Sequence, residues 1–505
     1  PLPQPPIALV LIFALLAASA TRLASAQEAD TEPHAAFIGV VECARCHRSP
    51  TPLDRESGAT DWASLTEFET WYTDDKHSQA FKLLDSERGR QMSKILGIDV
   101  LHNAQCLSCH CNLLPHSPPL SELEQKQGVS CESCHGPGSQ YEKPHRDPGW
   151  RMLAGSDKEK LGMVDVRDPR QRARQCLGCH VGNVAEGKVL THAMYAAGHP
   201  PLPGFEIETF AREMPPHWRT LADKPAAARD DPRIREALHE KPDEVHAARS
   251  VVVGGVMSLA ESVRLLSEQA AAAEPGEWPD FAMFDCQMCH HELATPSWRQ
   301  QRLASDAGRA RPGQPRMRAW PSVLVELGID HLHRDDADAR RQAHEELKTR
   351  LATFQKTFDG VAWGARRGKD EGLSAAAQSL LDWLDALAGK LDAADYDPSA
   401  ARMLLADLCA LGEQPSLDYD SARELAWALE AIGSAVVPAE PADADDWQRI
   451  LAALDHDLLL DLPATQQRSI LDPRRQQAVY EAVGNYDPAQ VRRRFGDLSK
   501  LLAPE

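Results

Sequence analysis

Five copies of one pattern, Cys-x-x-Cys-His, are spread over the first 290 residues of a 505-residue chain. They read Cys43-Ala-Arg-Cys46-His47, Cys106-Leu-Ser-Cys109-His110, Cys131-Glu-Ser-Cys134-His135, Cys176-Leu-Gly-Cys179-His180 and Cys286-Gln-Met-Cys289-His290. Two thiols three residues apart, with an imidazole directly after the second, suit covalent haem attachment. The sulfurs add to the two vinyl groups of the macrocycle, and the histidine is delivered to the iron as its proximal ligand. Five copies predict five covalent haems c, with His47, His110, His135, His180 and His290 as proximal ligands. Zinc is the rival chemistry, because paired Cys-x-x-Cys knuckles build four-cysteine sites, and the pairs at 106/109 and 131/134 have ribbon-like spacing. Five pairs do not match two by two, however, and a zinc ribbon has no need of a histidine after every second cysteine.

The opposite face of each iron needs a ligand too, and eleven further histidines lie at or before residue 291. Three runs that carry some of them, Lys76-His77-Ser-Gln-Ala-Phe81, Gly128-Val-Ser-Cys131-Glu-Ser-Cys-His135-Gly-Pro-Gly138 and Ala197-Gly-His199-Pro200, resemble the multihaem cytochrome c554 family. The run from Asp285 to Leu293, followed by Ser297-Trp298-Arg299, resembles larger multihaem relatives of it. Short members of the family carry four haems, so a fifth motif in a longer chain departs from them. The resemblance implies irons with two histidine ligands, the distal one from a separate segment, and closely packed haems that pass electrons along a chain. It also implies that one haem can be five-coordinate and open to a small nitrogen oxide. By position in the resemblance, His77, His145, His192 and His199 are distal candidates; His217, in Met214-Pro-Pro-His217-Trp218, is a fifth. His102, His116, His246 and His291 are weaker candidates, and His34 and His239 read as solvated. Met194, Met214, Met283 and Met288 are near enough in sequence to be considered as sixth ligands, which would raise the redox potential.

The elements that must position these groups fall into four stretches. Residues 1–26 read as an export signal, with an apolar run from Ile7 to Ala20 and the small-residue site Ala24-Ser25-Ala26. Residues 27–292 form the haem-bearing part, where Pro, Gly and short polar turns leave few helices: one near Asp75 to Leu84, and one from about Asp243 to Ala273 with an apolar stripe through Val252, Val256, Leu259, Val263 and Leu266. The haem macrocycles would supply its apolar mass, so the apoprotein is expected to be largely unfolded there. Residues 293–320 read as an arginine-rich linker. Residues 321–505 read as a haem-free bundle of six to eight short helices. Leu373, Ala377, Leu380, Leu384, Leu387 and Leu391 keep a helical period, Asp-Pro pairs at 397, 472 and 487 start helices, and Gly412, Gly433 and Gly484 stop them. The fold class is therefore mainly α: a multihaem domain with little regular secondary structure, then a helical bundle. No segment after the signal reads as a membrane helix. Two cysteines are left over, Cys111 and Cys409, and either a buried thiol or a disulfide between them fits the sequence.

A formal charge of −20 argues against a nucleic-acid partner and for a basic one. With export and covalent haem, the reading is a periplasmic electron-transfer protein whose partners are redox proteins, a membrane or respiratory complex among them. Oligomeric state is not legible. The rival is a multihaem oxidoreductase acting on a nitrogen or sulfur compound at one open iron. All five motifs are ordinary, with no lysine in place of a proximal histidine, which favours transfer over catalysis, and no catalytic residue is assigned.

Overall fold

The structure, a computed structural model, describes residues 35–49, 63–111, 113, 121–224, 226–272, 279–290, 293, 297, 313–358, 371–415, 417–437, 441–460, 478 and 481–502. The export signal lies outside them, as do His34, His116, His291 and most of the linker. Among the described residues the protein is helical and has no strand; extended pairing is confined to the isolated bridges Asn183–Lys188 and Phe284–Met317. The mainly α reading holds.

Two regimes of packing follow one another along the chain. Among the described residues from 35 to 240 the helices run to 12 residues at most and alternate with turns. One small apolar cluster lies there, built on Leu84, Met92, Val100, Leu107, Met194 and Ala197. At about 1.5–3 kcal/mol per fully buried large side chain, so few residues cannot offset the entropy of ordering that stretch.

Among the described residues nine helices of 12 residues or more carry the main core: α1 (Pro169–His180), α2 (His246–Ala272), α3 (Trp320–Leu332), α4 (Ala337–Lys356), α5 (Glu371–Ala393), α6 (Pro398–Gly412), α7 (Tyr419–Val436), α8 (Pro441–Leu458) and α9 (Pro488–Leu502). The seven after residue 319 fall within the expected number but are 13 to 23 residues long, not short. The predicted stripe of α5 is buried throughout, Leu373 to Leu391. Asp397 accepts from the Ala400 amide with Pro398 in the first turn, and Asp487 accepts from Ala489 and Gln490. The Asp472-Pro473 start lies outside the described residues. Gly412 closes α6 as expected, whereas Gly433 sits inside α7. A Cβ at Gly433 would strike the Trp447 ring of α8, so this glycine exists for close helix packing rather than for a stop.

Helix α2 is the centre of the assembly. It packs against α1, α3 and α5, and all five residues of its predicted stripe are buried. Its Gly254-Gly255 step lets two neighbours approach: added Cβ atoms would meet Ile207 and Leu324. Contrary to the sequence reading, α2 is long and apolar enough to cross a membrane, but 78% of its apolar window is buried inside the protein, as in a core helix. One continuous cluster runs from Ala173 and Leu177 of α1 through α2 into the C-terminal helices. The motif-bearing stretch and the C-terminal helices thus share a core.

Candidate functional site

Every motif sits on a helical turn, so its two thiols and its histidine project from one side. The turns are Val40–His47, Ala104–His110, Cys131–His135, the end of α1, and a 3-10 turn at Cys286–Met288. Local sequence fixes where they begin. Asn103 accepts from the amides of Gln105 and Cys106, Asp168 from Arg170 and Gln171, and Asp285 from Gln287. Gly136, at φ 79°, ends the third turn, and a Cβ there would strike the Gly162 carbonyl.

The tertiary structure then sets a second imidazole opposite four of the five motif histidines. Ring centroids are 6.2 Å apart for His47–His145, 6.4 Å for His77–His180, 6.4 Å for His135–His217 and 6.3 Å for His192–His290. Two metal–nitrogen bonds of about 2 Å each, plus roughly 1 Å from each ring nitrogen to its centroid, sum to about 6 Å. The spacings suit two imidazoles on opposite faces of one metal ion. The ring planes meet at 18° and 26° in the first and last pairs, and at 88° and 84° in the middle two. His110 has no such ring partner among the described residues. Its neighbour is His199, within electrostatic range, on a segment whose Met194 and Ala197 pack with Leu107 of the second motif.

The ring nitrogens are sorted to match. A metal-binding imidazole gives its other nitrogen to a hydrogen bond that fixes tautomer and orientation. Nδ1 bonds to Glu67 in His47 (2.9 Å), Asp75 in His77 (2.9 Å) and the Ala80 carbonyl in His110 (2.7 Å). In His145, His199 and His217 it bonds to the carbonyls of Tyr141 (3.1 Å), Pro200 (2.7 Å) and Pro215 (3.2 Å). Among the described residues none of the six spends Nε2 on a hydrogen bond. Burial holds His180 down to about 3, and His135 and His199 to about 4, so these rings are neutral and can donate to a metal at ordinary pH. In His47 the hydrogen bond to Glu67 raises the pKa; in His77 burial opposes but Asp75 prevails, and the value is again raised.

The thiols show how the motifs adjoin. Cys43 neighbours Cys131, Cys109 neighbours Cys179, and Cys134 lies near Cys176 and Cys179. Motif one therefore lies against three, three beside four, and four against two. Buried Glu132 holds the first junction, accepting from the amides of Ile38, Gly39 and Gly138. Sequence reasoning missed Glu132, Glu67 and Asp75. Asp75, two residues before His77, carried a local signal; Glu67, twenty residues after His47, carried none.

The remaining histidines behave differently. His239, expected to be solvated, is half-buried and spends Nε2 on Asp165 at 3.2 Å. His102 is exposed beside Asp99, and the charges near His246 are Glu208, Arg172 and Arg249. Cys111 and Cys409 are separate buried thiols, Cys111 donating to the Gln125 carbonyl at 3.3 Å; the disulfide alternative fails. Among the described residues no three His, Cys, Asp or Glu side chains converge as a zinc site requires.

The family model described as "Cytochrome c554 and c-prime" matches residues 42–136, which span the first three motifs. Cytochrome c-554 of Nitrosomonas europaea is 23% identical over 181 residues, 34% of this chain and 68% of that protein. Over these stretches the chain is similar to c554-like multihaem c-type cytochromes. No solved structure matches it at comparable significance. The family match thus holds the first three motifs and His77, while His145, His217, the fourth and fifth motifs and the long helical core lie beyond its bounds.

Proposed function

We propose that this c554-like protein is a periplasmic electron carrier with five covalent haems c. The observation that carries the reading is the set of four imidazole pairs at one common separation, each joining a motif histidine to a histidine from a distant segment. When bound, each haem supplies a one-electron iron couple; spacing, axial ligation and burial are the polypeptide's contribution. His145, His217, His77 and His192 would be the distal ligands of the first, third, fourth and fifth motifs, and His199 faces the second. The thiol contacts support an electron path in the order one, three, four, two. His192 and His199, seven residues apart, serve the fifth and second motifs, which makes the fifth the extension of that path. The domain reading is residues 27–292 for the pentahaem part, 293–320 for the linker and 321–505 for the haem-free helices. Redox proteins, a respiratory complex among them, would be the partners, and the net charge of −20 favours a basic docking face.

Mass spectrometry of the exported holoprotein tests the count, with five haems and cleavage after Ala26 expected. Four haems, or an uncleaved cytoplasmic product, would sink the reading.

One observation favours a second reading. Among the described residues His110 is the motif histidine without a ring partner at ligand spacing, so its iron is the candidate for an open coordination position and for chemistry on a small nitrogen oxide. Adding carbon monoxide or nitric oxide to the reduced protein decides this: a spectral change confined to one haem supports an open site, and no change leaves electron transfer alone.

A further inference from the structure

A small cavity lies between the fourth and fifth motifs. It is lined by His180, Tyr195, Leu202, Met283, Arg318 and Trp320. Arg318 comes from the stretch just ahead of α3 and reaches across the junction. It donates to the carbonyls of Leu202 (3.1 Å) and Ala282 (3.0 Å), with Phe284 at 3.5 Å. Those three bonds use three of its five N–H groups. Among the described residues no carboxylate lies within 4.0 Å of its guanidinium. Tyr195, Cys286 and Asp420 lie within electrostatic range of it, and haem attachment would turn Cys286 into a neutral thioether. Trp320 is 4% exposed, and its indole N–H is buried without a partner. A cation with no carboxylate in contact among the described residues and an orphaned donor, both lining one cavity, together call for an anion with more than one acceptor oxygen.

We infer that Arg318, Tyr195 and Trp320 form a carboxylate seat that holds a propionate of the fifth haem. The inference rests on the five-haem reading above. The position supports the fifth motif rather than the fourth: Tyr195 lies one helical turn beyond His192, and Arg318 is bonded to the carbonyls of Ala282 and Phe284, just before Cys286. A fixed positive charge there disfavours loss of an electron from the nearby iron, so the seat raises one redox potential in the chain. It also makes the segment before α3, and hence the haem-free helices, part of the fifth haem's environment.

The test is stepwise redox titration of full-length holoprotein, followed by visible absorption and electron paramagnetic resonance. Haem content is measured first, so that a wild type with fewer than five haems counts against the five-haem reading and not against the seat. Arg318→Gln keeps donors and loses the charge; one midpoint potential is expected to fall while the other four stay. Arg318→Lys keeps the charge and is expected to hold that midpoint near the wild-type value. Trp320→Phe, which removes the N–H alone, is expected to lower the same midpoint by less. The shifted step should be the one missing when Cys286→Ser and Cys289→Ser are combined. Equal shifts from Gln and Lys at position 318, no shift from either, or a shift in a step that survives loss of the fifth motif would overturn the proposal.

Discussion

Replacing a single imidazole should change a single haem. In the proposed ligation, His77→Ala or His217→Ala removes one sixth ligand and converts one low-spin iron to high-spin, read by electron paramagnetic resonance, with haem content unchanged. Ring angles give a second expectation. Near-perpendicular planes leave the iron's two dπ orbitals close in energy and push one principal g value high; near-parallel planes split them. The 88° and 84° pairs should thus give two high-g signals, and the 18° and 26° pairs two ordinary rhombic ones. Four signals of one type would contradict the pairing. Glu206 and Glu424 form a buried acidic pair at the junction of the two stretches. Burial raises Glu206 to about 7 despite bonds from the Glu208 and Thr209 amides, and burial raises Glu424 as well, with Glu206 adding to the effect and Arg423 opposing it. A raised folded-state pKa means stability that is full below the unfolded value, about 4.3, and lost as pH climbs toward 7. Glu424→Gln should therefore be more stable than the parent at pH 8, with the gap closing toward pH 4.5, in urea titrations at both pH values.

At the scale of elements, the helices that carry the core should be sensitive and the motif turns should not fold by themselves. Leu384 of α5 is fully buried, and Leu384→Ala should cost about 2–5 kcal/mol, measured by chemical denaturation. Gly433→Ala adds a methyl against Trp447, and overpacking of that kind costs roughly 1–3 kcal/mol. A neutral result there would mean that α7 and α8 pack less closely than the structure shows. The motif turns are five to twelve residues long where α-helical, too short for independent stability. Their caps aim the cysteines, but only neighbouring motifs and the cofactor hold them in place.

For the whole molecule the division of labour predicts an uneven response to loss of haem. Protein made without haem attachment should be cut rapidly by protease between residues 35 and 240, while the helices from α2 onward resist, because their cluster is built from the chain's own leucines, valines and aromatics. Uniform resistance would show that the haem-bearing stretch is self-supporting. Much of this was legible beforehand, since some features are local. Cys-x-x-Cys-His names its chemistry within five residues, the stripe of α5 repeats every turn, and Asp397-Pro398 starts a helix wherever it lies. His77, His145, His192, His199 and His217 stood out as candidates by their runs of sequence, but nothing local said which motif each one faces. His145 meets His47 across 98 residues and His192 meets His290 across 98 more; such separations leave no trace in spacing. Gly433 was misjudged because a glycine needed for a close helix contact looks the same in sequence as one that ends a helix. The chain by itself determined the cofactor chemistry and the helical character, because both rest on residues close in sequence. Only the tertiary structure decided the imidazole pairing, the order of the motifs and the shared core around α2, because these depend on which distant surfaces exclude water together.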